Sequence, residues 1–237
     1  MSYLNFSKHK CVNLHATVLL CICIMLKEYL ETKGIRFSYD YQGHSSQFPA
    51  EPIILSYFAR QPGVKEIMEI GFNAGHSAET FLSANPHVNL TSFDLGEVNA
   101  MKHGKEYIDA TYPGRHTLIV GDSTVTLTQY NLVNPNKKFD IIFIDGGHSY
   151  HIAKSDFINS STLAHSETIV IVDDVVYVPN WEANYTVGPT TAWSEATKYG
   201  EIEELGRLAY KPGFGLVWGK YLKRIEADGK FYTIPPR

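Results

Sequence analysis

The sequence predicts an α/β fold: a doubly wound, mostly parallel sheet with a C-terminal antiparallel hairpin and N-terminal helices. Two observations predict it. Beyond "QPG" at 61–63, five apolar runs alternate with four helical patterns. The apolar runs are nearly continuous, as in strands buried on both faces. Strand–helix alternation with right-handed crossovers gives a doubly wound sheet. Ligands of such sheets bind at the carboxyl ends of the strands.

The elements follow in order. Residues 12–33 read as a helix closed by Gly34. Segment 34–52 is turn-rich and aromatic, a surface crossing able to wall a cleft. "PIILSYFAR" (52–60) reads as a helix with Pro52 at its first position. Then come strand "KEIMEIG", helix "HSAETFLSAN", strand "NLTSFDLG" and helix "NAMKHGKEYIDAT". Strand "HTLIVGDS", short helix "TVTLTQYNL", strand "FDIIFIDGG", helix "YHIAKSDFINSSTL" and strand "ETIVIVDDVV" continue the pattern. "AWSEATKYGEIEEL" (192–205) reads as a last helix, and "GRLAY" and "FGLVWGKYL" as an edge hairpin turned at "KPG". Residues 1–60 thus make an N-terminal helical and cap segment, and 61–237 the main domain, as one compact unit.

Composition narrows the class. A net charge of −4 with no basic run offers no footprint for nucleic acid. Cys11, Cys21 and Cys23 are an odd, clustered set rather than a disulfide framework, which favours a reducing, cytoplasmic setting. The apolar run at 18–26 follows "KHK", so a signal or surface anchor is the alternative. It is too short to span a bilayer and no small-x-small site follows, so a packed helix without membrane insertion is expected.

The strand ends carry the chemistry. The first strand closes at Glu69, and Gly71 and Gly75 frame the next loop. Glycine serves close backbone approach or positive φ, and the following helix offers N–H groups to a ligand. The spacing G-x-x-x-G lacks the middle glycine of a dinucleotide loop. A plain tight turn remains the alternative. Asp94, after the second strand, stands where an acid takes a ribose diol, or it caps a helix. Asp122 and Ser123, after the third, suit an adenine or a cap.

In register, these features resemble the class I S-adenosylmethionine-dependent methyltransferases, over about residues 64–221. The resemblance implies a Rossmann-like methyltransferase fold for 61–237. It places the methionine part of the cofactor on the loop of Glu69, Gly71, Phe72, Asn73, Gly75 and Ser77. It places the ribose on Asp94 and the adenine by Asp122 and Ser123, with Asp145 near the cofactor's ammonium.

Asp145 ends the fourth strand, and Asp173 and Asp174 end the fifth, 28 residues on from Asp145. That pattern resembles the metal-dependent O-methyltransferases, of the catechol type and the macrolide- and aminocoumarin-sugar type. The resemblance implies Asp145, Asp173 and Asp174 as ligands of Mg²⁺ or another divalent cation. Three hard carboxylates suit such an ion. A cap on the following turn is the alternative for the acid pair. His148, three positions after Asp145, stands where the catechol type carries its general base, and it titrates near neutral pH. It is equally placed to cap the next helix. Gly147 replaces the second acid of the sugar type, so that base does not carry over. "LAHSE" (163–167) departs from the L-x-P-G-G that the family often has before its fifth strand.

The expected function is O-methyl transfer to a hydroxyl of a small molecule or sugar, with His148 and Asp145 as catalytic residues. Segments 34–50 and 177–193 would wall the acceptor, with Tyr39, Tyr41, Phe48, Tyr177 and Trp181 as candidate surfaces. The rivals are a metal-independent methyltransferase, an NAD-dependent oxidoreductase and a non-catalytic binding module. The sequence leaves a homo-oligomer open.

Overall fold

A computed structural model describes residues 25–43, 47–175, 184–211, 214–225 and 230–237. The three cysteines, most of the N-terminal apolar run, Tyr177 and Trp181 lie outside the described residues.

A seven-stranded sheet forms the centre, in the order β3-β2-β1-β4-β5-β7-β6. Strands β1 (Glu66–Ile70), β2 (Asn89–Asp94), β3 (His116–Val120), β4 (Phe139–Ile144) and β5 (Ala164–Val172) pair in parallel. β6 (Ile202–Lys211) and β7 (Phe214–Tyr221) form the antiparallel edge, and β7 joins it to β5. A separate small hairpin pairs β8 (Lys223–Ile225) with β9 (Phe231–Thr233).

Side-chain alternation along the strands builds two cores. Ile67, Ile141, Phe143 and Ile171 face α1 (25–32), α2 (Ala50–Ala59), α3 (His76–Ala84) and α4 (Ala100–Thr111). Their neighbours Met68, Ile70, Ile142, Ile144, Val170 and Val172 face α5 (Ser123–Val133), α6 (Tyr150–Ser161) and α7 (Val187–Lys198). Each fully buried Leu, Ile or Phe stabilises by about 1.5–3 kcal/mol. This double burial is why the strand sequences are continuously apolar. Among the described residues, no helix is long and apolar enough to cross a membrane.

Three elements differ from expectation. α2 starts at Ala50, so Pro52 is the third helical residue, still within the turn whose N–H groups lack helical partners. The last helix runs over 187–198 rather than 192–205. Gly200, left-handed at φ 64°, ends it, and Ile202 then enters β6 against Tyr221. "LAHSE" is no loop: from Ala164 it belongs to β5, through a register shift opposite Phe139 and Ile141.

The strand order reverses between β1 and β4. Their carboxyl ends, Ile70 and Ile144, therefore open the crevice where ligands bind in such sheets.

Candidate active site

The chain leaves β1 through Gly71, whose φ of 98° is left-handed. A Cβ there would stand 1.9 Å from the Asp145 carbonyl oxygen, so glycine alone lets the ends of β1 and β4 run this close. The Asn73 N–H donates to Asp94 Oδ2 at 2.8 Å, and the Gly96 N–H donates to Asp94 Oδ1 at 2.8 Å. Asp94 therefore ties two loops together. It does not cap α4, whose N-cap is Asn99. Asp122 caps α5, its Oδ1 accepting from the Thr124 N–H at 2.9 Å, and Ser123 opens that helix.

Gly71, Asn73, Asp94, Asp122, Ser123, Asp145 and Gly146 line a cleft of about 290 Å³. Glu69, Phe72, Gly75 and Ser77 do not line it. Glu69 is fully buried, its Oε1 accepting from Ser92 Oγ at 2.6 Å and its Oε2 from Ser77 Oγ at 2.8 Å. Burial pushes its carboxyl up to about 7, against the pull of those two bonds. Phe72 is buried on His116, ring centroids 5.0 Å apart, and Gly75 is the left-handed N-cap of α3.

A second cavity, of about 590 Å³, adjoins the first and shares Asn73, Asp145 and Gly146 with it. Asp145, His148, Asp173 and Asp174 all line it. Ligand atoms of Asp145, His148 and Asp174 lie within 4.8 Å of one another. Asp173 is on the same wall but outside that trio. His148 Nε2 is 3.2 Å from Asp174 Oδ2. Asp174 takes a left-handed φ of 59°, which Asp and Asn tolerate better than other side chains. His148 is not the cap of α6. That is Ser149, whose Oγ accepts from the Ile152 N–H at 3.4 Å. The first turn of α7 closes on the same loop: a Cβ on Gly188 would stand 2.2 Å from the His148 carbonyl oxygen.

Burial raises the Asp145 carboxyl well above the carboxylate range, and the charges of Asp173, Asp174 and Glu69 add to it. Burial also pushes Asp174 up to about 6 and holds the His148 imidazole below its ordinary value. Acids gathered at low dielectric are unfavourable unless a cation joins them. Hard carboxylate oxygens beside an imidazole form a donor set that fits a divalent ion.

Residues 68–175 match the family model of a methyltransferase domain. The matched stretch carries the five parallel strands' carboxyl ends from β1 to β5. No curated protein sequence matches the chain. Among solved structures, the chain is similar to the O-methyltransferase of Bacillus cereus in complex with SAH. That match has TM-score 0.66 and 16% identity, and covers 85% of this chain and 90% of that one. The SAH-bound methyltransferase PaMTH1 of Podospora anserina matches with TM-score 0.63 and 18% identity, over 93% and 99% of the two chains. The O-methyltransferase TomG of Streptomyces achromogenes, involved in tomaymycin synthesis and in complex with SAM, matches with TM-score 0.63 and 17% identity, over 84% and 89%.

The matched stretch runs from β1 to just past Asp174, so the rest of the second cavity's wall comes from outside it. Phe37, Gln42, Gln47, Phe48 and Glu51 contribute from the N-terminal side, and Tyr185 and Phe214 from the C-terminal side. Phe48 and Phe214 meet with centroids 4.8 Å apart. Of the other aromatic candidates, Tyr39 points into solvent. Tyr41 is buried, its hydroxyl 3.2 Å from His76 Nε2. Sequence reasoning missed Glu51, which is 2% exposed on α2. Burial raises its carboxyl, and Asp173, Asp145 and Asp174 raise it further. Only its spacing before "PIILSYFA" could have signalled a polar residue in a helical turn.

Proposed function

We propose that the chain transfers a methyl group from S-adenosylmethionine to a hydroxyl oxygen of a small molecule or sugar, with a divalent cation held by Asp145, Asp173 and Asp174. In this reading 61–237 is the catalytic unit and 1–60 its cap. The observation that carries it is the junction of the two cavities at Asn73, Asp145 and Gly146. One chamber has an acid and polar pair suited to a nucleoside. The other has carboxylates and a histidine suited to a hydroxyl acceptor. SAM or SAH in the O-methyltransferases of similar fold supports the same assignment.

S-adenosylmethionine supplies an electrophilic methyl group, and a divalent cation polarises an acceptor hydroxyl and lowers its pKa. The chain's own residues do the rest. Asp94 holds the ribose, and Asp122 and Ser123 flank the adenine. Gly71 and Asn73 bring backbone close to the methionine part. The His148 imidazole, whose Nε2 faces Asp174, accepts the acceptor's proton, for which burial keeps it neutral. Asp174 Oδ2, 3.2 Å away, then steadies the imidazolium. The remaining acceleration is positioning of donor and acceptor.

One observation favours a second ligand set. The trio within 4.8 Å contains His148 and not Asp173, so His148 would be a ligand rather than a base. Calorimetry with SAH and with NAD, and radiolabelled methyl transfer to catechols and glycosides with and without chelator, test the proposal. Binding of NAD and not SAH ends the methyltransferase chemistry. Full turnover after chelation ends the role of the cation.

A further inference from the structure

Resting on that cation assignment, we propose that Glu51 is a fourth carboxylate of the cation site, contributed by α2 from outside the matched stretch. The bound ion would thereby tie the N-terminal helix to the sheet.

Glu51 stands in the first turn of α2, beside Pro52, Leu55, Ser56 and Ala59, which are buried with it. It lines the same cavity as Asp145, Asp173 and Asp174. It is 2% exposed, and its Oε1 has no hydrogen-bond partner. Among the described residues, no Lys, Arg or His forms an ion pair with it or with Asp145. A buried carboxylate oxygen left without a donor is strongly disfavoured, and acids on the same wall make it worse. An apolar residue would serve α2 better if packing were its only task. A divalent cation removes the conflict, because it answers all the carboxylates at once. Magnesium takes six oxygen ligands and usually keeps several waters, so Asp145, Asp173 and Asp174 leave room for a further acid.

The consequence is structural as well as chemical. α2 packs on α3, and Phe48, just before it, packs on Phe214 across the acceptor cavity. An ion joining Glu51 to the ends of β4 and β5 would set the position of that wall. Cation binding and the shape of the acceptor cavity would then be linked.

The test titrates Mg²⁺ and Mn²⁺ into chelator-treated full-length protein by calorimetry, for wild type, Glu51→Gln and Asp145→Asn. Melting temperatures are recorded with and without ion. Glu51→Gln is expected to weaken cation binding by about 10–100-fold and to shrink the ion-induced rise in melting temperature. It should also raise the melting temperature of the ion-free protein, because it removes a buried acid. Hydrogen exchange of wild-type α2 amides gives a measurement that needs no variant: added cation should slow it. If Glu51→Gln binds the ion as tightly as wild type while Asp145→Asn does not, Glu51 is outside the site and the cation assignment stands. Exchange in α2 unchanged by the ion likewise puts Glu51 outside the site. If the wild type binds no divalent cation, both proposals fall together.

Discussion

His148 Nε2 lies 3.2 Å from Asp174 Oδ2, a contact between the loop after β4 and the end of β5. Burial lowers the imidazole and raises the carboxyl, so both shifts oppose a closed ion pair. A neutral imidazole is the form that accepts a proton. His148→Ala should therefore lower kcat by about 10²–10⁴ and leave SAH affinity unchanged. The wild-type rate should rise with pH as the imidazole deprotonates, with a midpoint below that of an ordinary histidine. The variant should lose this limb. An equal loss of cation affinity in the variant would make His148 a ligand instead.

Asp94 accepts from the backbone of Asn73 and of Gly96, so its carboxylate shapes the cleft as well as facing it. Hydrogen bonds to a charged group contribute about 1.5–3 kcal/mol each. Asp94→Ala should raise the Kd for SAH by at least about tenfold, the equivalent of 1.4 kcal/mol. Asp94→Asn, which keeps the shape but loses the charge and one of the two acceptors, should fall between. Calorimetry checks both, and an unchanged Kd in the alanine variant would remove Asp94 from the cofactor site.

Gly71 and Gly114 both have positive φ, yet substitution should affect them differently. A Cβ at Gly71 meets the Asp145 carbonyl oxygen at 1.9 Å, whereas one at Gly114 meets nothing within 4 Å. Gly114→Ala should cost about 1–2 kcal/mol, set by the left-handed backbone alone. Gly71→Ala should exceed about 4 kcal/mol, since the ends of β1 and β4 must part. Urea denaturation distinguishes them; similar midpoints would mean the crevice is not closely packed.

The central strands are legible in the sequence because burial on both faces leaves a continuous apolar run in each. The last helix is not. Its C-terminal stop at Gly200 is masked because Glu201, Glu203 and Glu204 continue a helical look, and only pairing with β7 makes 202–211 a strand. The acids at the strand ends can be read from position alone, but their grouping cannot. Adjacent residues in extended chain point to opposite faces. Only the folded ends of β4 and β5 bring Asp145, His148, Asp173 and Asp174 to one cavity. Glu51 is invisible because nothing local separates a buried acid from an exposed one. Only the approach of α2 to the ends of β4 and β5 does that.

Glu69 offers the sharpest pH signature. It is fully buried, and its folded pKa of about 7 stands above its ordinary 4.5. A raised folded pKa means the native state prefers the protonated form. That preference contributes its full stability below the unfolded pKa and is lost as pH rises through the folded one. Wild type should therefore lose up to about 3 kcal/mol relative to Glu69→Gln between pH 4.5 and pH 8, from 1.36 kcal/mol per pKa unit. Urea midpoints of the two proteins at pH 5, 6, 7 and 8 measure it. Parallel profiles would mean that Glu69 stays ionised between Ser92 and Ser77, and that those two hydroxyls outweigh its burial.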